Sequence, residues 1–171
     1  MTRHTDLPTT PSCFGLDPVT GPRPEILILG SFPSVLSLER AEYYGNPKNQ
    51  FWKIMEALFG IPSHLPYVER AHAVSDAGVA LWDVVRSCSR PGSADAGIRE
   101  PVFNDIPGFV ASHPTLCLVA LNGSTAGRLY SRLDGVGHIP SVVLPSTSPA
   151  HARQSLDEKV ERWSALKKSH K

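Results

Sequence analysis

Four short apolar runs constrain this chain more than any other feature: Glu25-Ile-Leu-Ile-Leu-Gly30, Val79-Ala-Leu-Trp-Asp-Val-Val85, Leu116-Cys-Leu-Val-Ala-Leu121 and Ser141-Val-Val-Leu144. They are apolar at consecutive rather than alternate positions, the pattern of strands buried on both faces in a parallel sheet. Helical patterns lie between them. Asn46-Pro47 reads as an N-cap with proline at the first helical position, followed by a stripe of Phe51, Ile54, Met55 and Leu58 that ends at Gly60. Tyr67, Val68, Ala71 and Val74 give a second helix ending near Gly78, and a shorter one runs from Asn104 or Asp105 to Ser112. Asn122 caps another, with Ala126, Leu129, Tyr130 and Leu133 inward, and Leu156, Val160 and Trp163 mark the last, with Lys167 and Lys168 at its C-terminal dipole. Strands alternating with helices predict an α/β protein, a three-layer α/β/α sandwich around a central, mainly parallel four-stranded sheet.

A length of 171 residues suits one domain with a buried core. Residues 1–24, rich in Thr, Pro and Gly without period, read as an irregular N-terminal leader, and 25–171 as the single domain. No apolar run reaches the roughly 18 residues of a membrane span, and no signal-peptide pattern opens the chain, so a cytoplasmic protein with no membrane partner is expected. The three cysteines, Cys13, Cys88 and Cys117, are widely spaced, which argues against disulfides, zinc sites and iron–sulfur clusters. A net charge of +1 gives no whole-chain support for nucleic-acid binding, although an enzyme touching a few phosphates needs only a local basic patch.

In such a fold the ligand binds outside the carboxyl ends of the strands. That places the site among Gly30–Ser34, Arg86–Gly97, Asn122-Gly123-Ser124 and Pro145–His151. The first strand runs into Gly30-Ser31-Phe32-Pro33-Ser34 and then Tyr43-Tyr44-Gly45-Asn46-Pro47-Lys48-Asn49-Gln50-Phe51-Trp52. The last runs into Leu144-Pro145-Ser146-Thr147-Ser148-Pro149-Ala150-His151. This ordered set resembles the uracil-DNA glycosylase superfamily, with its glycine-anchored turn after strand one and Pro-Ser turn after strand four. The Asn-x-Phe-Trp helix start is similar to the mismatch-specific glycosylases. Gly-Ser-Phe-Pro-Ser combined with Pro-Ser-Thr-Ser-Pro resembles the hypoxanthine-DNA glycosylase branch most closely. The resemblance spans about Glu25 to Trp163.

Two departures stand out. Phe32 occupies the place where the better-known uracil enzymes carry a water-positioning Asp or Asn, and Leu144 the place of a base-stabilising His or Asn. The resemblance to the hypoxanthine branch moves the catalytic role to Asn49, expected in the first helical turn, whose amide can hold water beneath the sugar C1′. It implies Tyr44 as the platform for an extruded base, worth about 1–3 kcal/mol, with Tyr43 as its neighbour and Gly30, Ser31 and Phe32 around the base. Asp83, at the end of the second strand, is placed to read N1–H of hypoxanthine or N3–H of uracil, or else to serve structurally; both readings stay open. Ser34, Arg86, Ser146, Thr147, Ser148 and His151 are the expected DNA contacts, while Arg90 and Ser93 either hold phosphate or solvate a loop.

The expected activity is a monofunctional DNA glycosylase that hydrolyses the N-glycosidic bond of a flipped deaminated base, hypoxanthine first. No metal or organic cofactor is implied, and the expected protein is a monomer acting on DNA that carries a deaminated base. Lys48 neighbours Asn49 but points elsewhere on the predicted helix, so no lyase step is expected. Three alternatives remain: uracil removal from mispaired or single-stranded DNA, a catalytically silent DNA- or nucleotide-binding module, and a serine hydrolase built on Ser31 and His151. The last lacks a Gly-x-Ser-x-Gly elbow and a placed Asp–His pair.

Overall fold

In the computed structural model, which describes residues 12–168, the four apolar runs form one parallel sheet. Its strands are β2 (Ile26–Gly30), β3 (Val79–Asp83), β6 (Leu118–Asn122) and β7 (Ser141–Leu144), in the order β3-β2-β6-β7. All three pairings are parallel, with Gly30 opposite Asp83 and Asn122 opposite Leu144. Alternation along the strands sorts the core into two layers. Ile26, Ile28, Val79, Leu81 and Ala120 face α2 (Phe51–Phe59), α3 (Tyr67–Asp76), α6 (Leu156–Trp163) and α7 (Ala165–Lys168). Leu27, Leu29, Ala80, Val119 and Leu121 face α4 (Ile106–Ser112) and α5 (Ser124–Tyr130). The expected three-layer sandwich with its four-stranded parallel sheet is thus the observed architecture.

Several local expectations change. The run Val79–Val85 is not one strand: after Asp83 the chain turns at Val84 and continues as β4 (Val85–Ser89) in a second, antiparallel sheet with β1 (Cys13–Phe14) and β5 (Arg99–Phe103). The Asn104 amide stabilises the break by donating to the Asp83 carbonyl at 2.8 Å, while the Asn104 N–H donates to Val84. The first four residues of the segment expected as a loop from Arg86 to Gly97 are therefore strand. The 1–24 leader, where it is described, contributes β1 and a bridge from Val19 to Leu81; its first 11 residues lie outside the described range.

Asn46-Pro47 opens a turn rather than the helix. Lys48 N–H donates to the Asn46 side chain, Asn49 N–H donates to the Asn46 carbonyl, and α2 begins only at Phe51. Asn and Pro suit the start of a tight turn as well as a helix cap, so the dipeptide alone does not separate the two. Helix α1 (Val35–Arg40), capped by the Ser34 hydroxyl on Ser37 N–H, has no apolar period long enough to announce it. Asn122 does not cap α5; Gly123 holds that position, with φ +99°.

Candidate active site

The carboxyl ends of the four parallel strands open into a cavity of about 520 Å³, lined among others by Gly30, Asp83, Asn122, Tyr44, Asn49 and Ser146. Strand endings make its floor. A Cβ added to Gly30 would lie 2.5 Å from Asp83 Oδ1 and 3.6 Å from the Tyr44 hydroxyl oxygen, so only glycine lets the carboxyl rest against the backbone. Asp83 is 5% exposed, and its Oδ2 has no hydrogen-bond partner. Burial, reinforced by the Asp95 charge and opposed by Arg90, raises its pKa to about 7.

Tyr44 forms one wall. Its backbone is left-handed, at φ 55°, unusual for a residue with a side chain. That turn lays the ring on Phe51, centroids 3.9 Å apart and planes 22° from parallel. One face of the ring is thus backed by the core. The Tyr44 hydroxyl is buried without a hydrogen bond, and its pKa is pushed up by burial and then by Asp83, with the nearby Asn122 amide opposing. Tyr43, 3% exposed, hydrogen-bonds the carbonyls of Leu16 and Asp17 and accepts from Trp52 Nε1 through its own carbonyl.

Asn49 lies two residues before α2 rather than in its first turn, and its Oδ1 accepts the Phe51 N–H at 2.9 Å. The amide therefore satisfies one of the free N–H groups at the helix start, and its orientation is fixed by that bond. A carbonyl oxygen keeps a second lone pair, and the Nδ2 group remains as a donor.

The turn after β7 forms the opposite wall. Asn122 accepts from Thr147 N–H and donates to Thr147 Oγ1, both at 3.0 Å, and the Gln50 N–H donates to the Thr147 carbonyl. Thr147 is 1% exposed, so in this conformation it shapes the turn, while Ser146, Ser148 and His151 line the cavity more openly. Helix α6 holds both ends: Trp163 Nε1 donates to the Pro145 carbonyl at 2.9 Å, and Lys159 Nζ to the His151 carbonyl at 2.7 Å. A Cβ on Gly123 would meet Ser146 Cβ at 3.1 Å, so two strand ends approach closely here as well.

The turn after β2 is tied to the segment joining β4 and β5. Ser31 donates to Asp95 Oδ1 at 2.7 Å, Val35 N–H to Ser93 Oγ, and Arg90 Nη2 to the Pro33 carbonyl. The Arg90 guanidinium lies 4.9 Å from the centre of the Phe32 ring, and its Nε and Nη1 have no partner. Phe32 packs with Val85 and Cys88 and presents no group that could hold water.

The expected base-site residues Gly30, Ser31, Phe32, Tyr44 and Asp83 thus meet around one cavity with Asn49, Ser34, Ser146, Thr147, Ser148 and His151. Arg86 does not join them: it is exposed on β4 outside the cavity lining, because the strand turns its side chain outward. Asp95, Lys159 and the pairing role of Asn122 carried no sequence signal. Asp95 sits in an aperiodic polar stretch, and Lys159 looks like any surface lysine of an amphipathic helix. Among the described residues, no group of three or more His, Cys, Asp or Glu is arranged to hold a metal ion, and no helix is long and apolar enough to cross a membrane.

The chain is similar to known proteins along most of its length. The family model for the uracil DNA glycosylase superfamily matches residues 18–167. A curated hypoxanthine DNA glycosylase of Methanosarcina acetivorans is 37% identical over 153 residues, covering 89% of this chain and 96% of the relative. One from Methanosarcina barkeri is 33% identical, covering 87% and 94%. A solution NMR structure of a Methanosarcina acetivorans protein described as a candidate uracil DNA glycosylase superposes with a TM-score of 0.78 at 34% identity, over 91% of this chain and 99% of that one. With its family match spanning most of its length and two relatives above 30% identity, the chain belongs to the uracil-DNA glycosylase superfamily.

Proposed function

We propose that this protein is a monofunctional DNA glycosylase that removes hypoxanthine from DNA. The observation that carries the reading is the cavity, where Tyr44 and Asn49 from the segment before α2 meet Asp83 from the end of β3, in a chain whose two curated relatives are named hypoxanthine DNA glycosylases. An extruded purine stacks on the face of Tyr44 that Phe51 does not cover. Asn49, oriented by Phe51 N–H, holds a water against C1′ while the glycosidic bond breaks. Glycosidic cleavage with oxocarbenium character needs a positioned water more than a strong base, which suits an amide. Ser34, Ser146, Ser148 and His151 bind the DNA backbone around the flipped nucleotide, and the protein acts as a monomer. The domain spans residues 25–171, and the described part of the preceding segment pairs with it through β1 and Val19.

Labelled duplexes carrying one deoxyinosine or one deoxyuridine, treated with enzyme and then alkali, test this directly. Deoxyinosine strands should break only after alkali, and Asn49→Ala should lower the rate by about 10²-fold or more. Cleavage confined to deoxyuridine would shift the substrate to uracil, and no alkali-labile site in any duplex would remove the enzymatic reading.

A further inference from the structure

The floor of the cavity holds two polar groups that the fold leaves unsatisfied: Asp83 Oδ2 and the Tyr44 hydroxyl. Buried polar atoms are ordinarily paired, because an unpaired one loses its hydrogen bonds to water without replacement. Among the described residues no cation forms an ion pair with Asp83; Arg90 acts on it only at longer range and spends its Nη2 on Pro33. The charged groups around Asp83 are Asp95 from the β4–β5 segment and Arg90 from the end of β4, with the phenols of Tyr43 and Tyr44 from the segment before α2. Asp95 repels an ionised carboxylate at Asp83, and neither phenol can neutralise one. The bare Cα of Gly30 is what allows the carboxyl to sit at this floor, beside the Tyr44 hydroxyl.

A carboxylate here would oppose a departing base, whose ring gains electron density as the C1′–N9 bond breaks. A carboxylic acid does the reverse. Building on the hypoxanthine reading above, we propose that Asp83 is a catalytic residue that works as a neutral acid and donates its proton to N7 of the departing purine. N7 is the acceptor nitrogen on the purine's imidazole ring. In this step the C1′–N9 bond breaks and its electron pair enters the ring. The carboxyl proton moves to N7, and hypoxanthine leaves neutral. The water held by Asn49 bonds to C1′ through oxygen and loses a proton to solvent, from which the Asp83 carboxylate is reprotonated. Burial and the Asp95 charge keep a substantial fraction of Asp83 protonated near neutral pH, which makes such an acid available.

The test is single-turnover excision from about pH 5 to pH 9 by the wild type and Asp83→Asn, on deoxyinosine and on 7-deaza-2′-deoxyinosine, which lacks the acceptor nitrogen. The wild-type rate on deoxyinosine should fall about tenfold per pH unit above pH ~7, and Asp83→Asn should be about 10²-fold slower with that limb gone. The 7-deaza substrate should be cut by the wild type no faster than by Asp83→Asn. Unchanged thermal unfolding of Asp83→Asn at low pH verifies that the variant folds. A variant that keeps wild-type speed or the same pH limb overturns the proposal, as does rapid wild-type excision of the 7-deaza base. Absence of deoxyinosine excision by the wild type overturns the substrate reading and this inference with it, a result distinct from any effect specific to Asp83.

Discussion

The floor of the cavity and the buttress behind its last turn are both buried and both polar, but only the buttress is complete. Behind the turn, Asn122 and Thr147 exchange two hydrogen bonds, Trp163 satisfies the Pro145 carbonyl, and Lys159 satisfies that of His151. On the floor, Asp83 Oδ2 and the Tyr44 hydroxyl make no hydrogen bond among the described residues, the Asn122 amide only lying near the hydroxyl. Burial with full pairing fixes a loop in one place, whereas burial without pairing costs stability that a bound ligand can offset. The buttress is therefore scaffold, and the floor is where the proposed function seats the base. Substitutions in the two regions should part accordingly: the buttress should lose stability, and the floor should lose chemistry while stability holds or rises.

The largest effect belongs to the buttress. Trp163 is fully buried, packs edge-on against Phe51 at 6.1 Å and donates to Pro145. Trp163→Ala should cost about 3–5 kcal/mol in a denaturant titration, with loss of excision as the Pro145–His151 turn comes away. Trp163→Phe keeps most of the ring and loses the indole donor, which should cost about 1–3 kcal/mol. If both variants unfold like the wild type, α6 is not what holds the turn.

The floor should respond with the opposite sign. The folded-state pKa of Asp83, about 7, lies above the ordinary 3.8 of aspartate. Between those two values the folded protein binds more protons than the unfolded chain, so stability falls as pH rises through that window. Asp83→Asn removes the titration. It should therefore gain on the wild type above pH 7, by roughly 1–3 kcal/mol once an imperfectly paired amide is allowed for, and lose that advantage toward pH 4. Thermal midpoints at the two pH extremes measure it. A variant less stable than the wild type at high pH would mean that the carboxylate has a partner and that the floor is as complete as the buttress.

This contrast also marks what could be read from the sequence. The parallel sheet was legible because strands buried on both faces must be apolar throughout, and Ile26–Leu29 and Leu118–Leu121 are. The cavity-lining turns were legible because each carries Gly, Pro or Ser at a strand end, as the resemblance led one to expect. The second sheet was not legible. Its strand β4 alternates exposed Arg86 with buried Ser87 and merges with the run before it, so no turn residue marks the change of sheet at Val84. Asn46-Pro47 serves a turn with the same chemistry that would start a helix, and only the position of Phe51 in three dimensions separates them. Pairing across the fold, such as Ser31 with Asp95 over 64 residues or Asn122 with Thr147 over 25, leaves no local pattern.

The smallest effect gives the finest division between the two regions. The last turn was expected to press on DNA through Ser146, Thr147 and Ser148 together, yet Thr147 is 1% exposed and its hydroxyl accepts from the Asn122 amide. Thr147→Val preserves shape and removes that acceptor, while the Thr147 N–H still donates to Asn122 Oδ1. Asn122 Nδ2 then loses its partner in a part-buried site, at a cost of about 1 kcal/mol. A shifted denaturation midpoint with unchanged affinity for a duplex carrying a non-cleavable deoxyinosine analogue is the expected pair of results. The reverse pair, an unchanged midpoint and weakened DNA binding, would mean that the turn opens on DNA and brings Thr147 to a phosphate. The line between scaffold and contact surface would then run between the end of β6 and the last turn, with Asn122 on one side and Thr147 on the other.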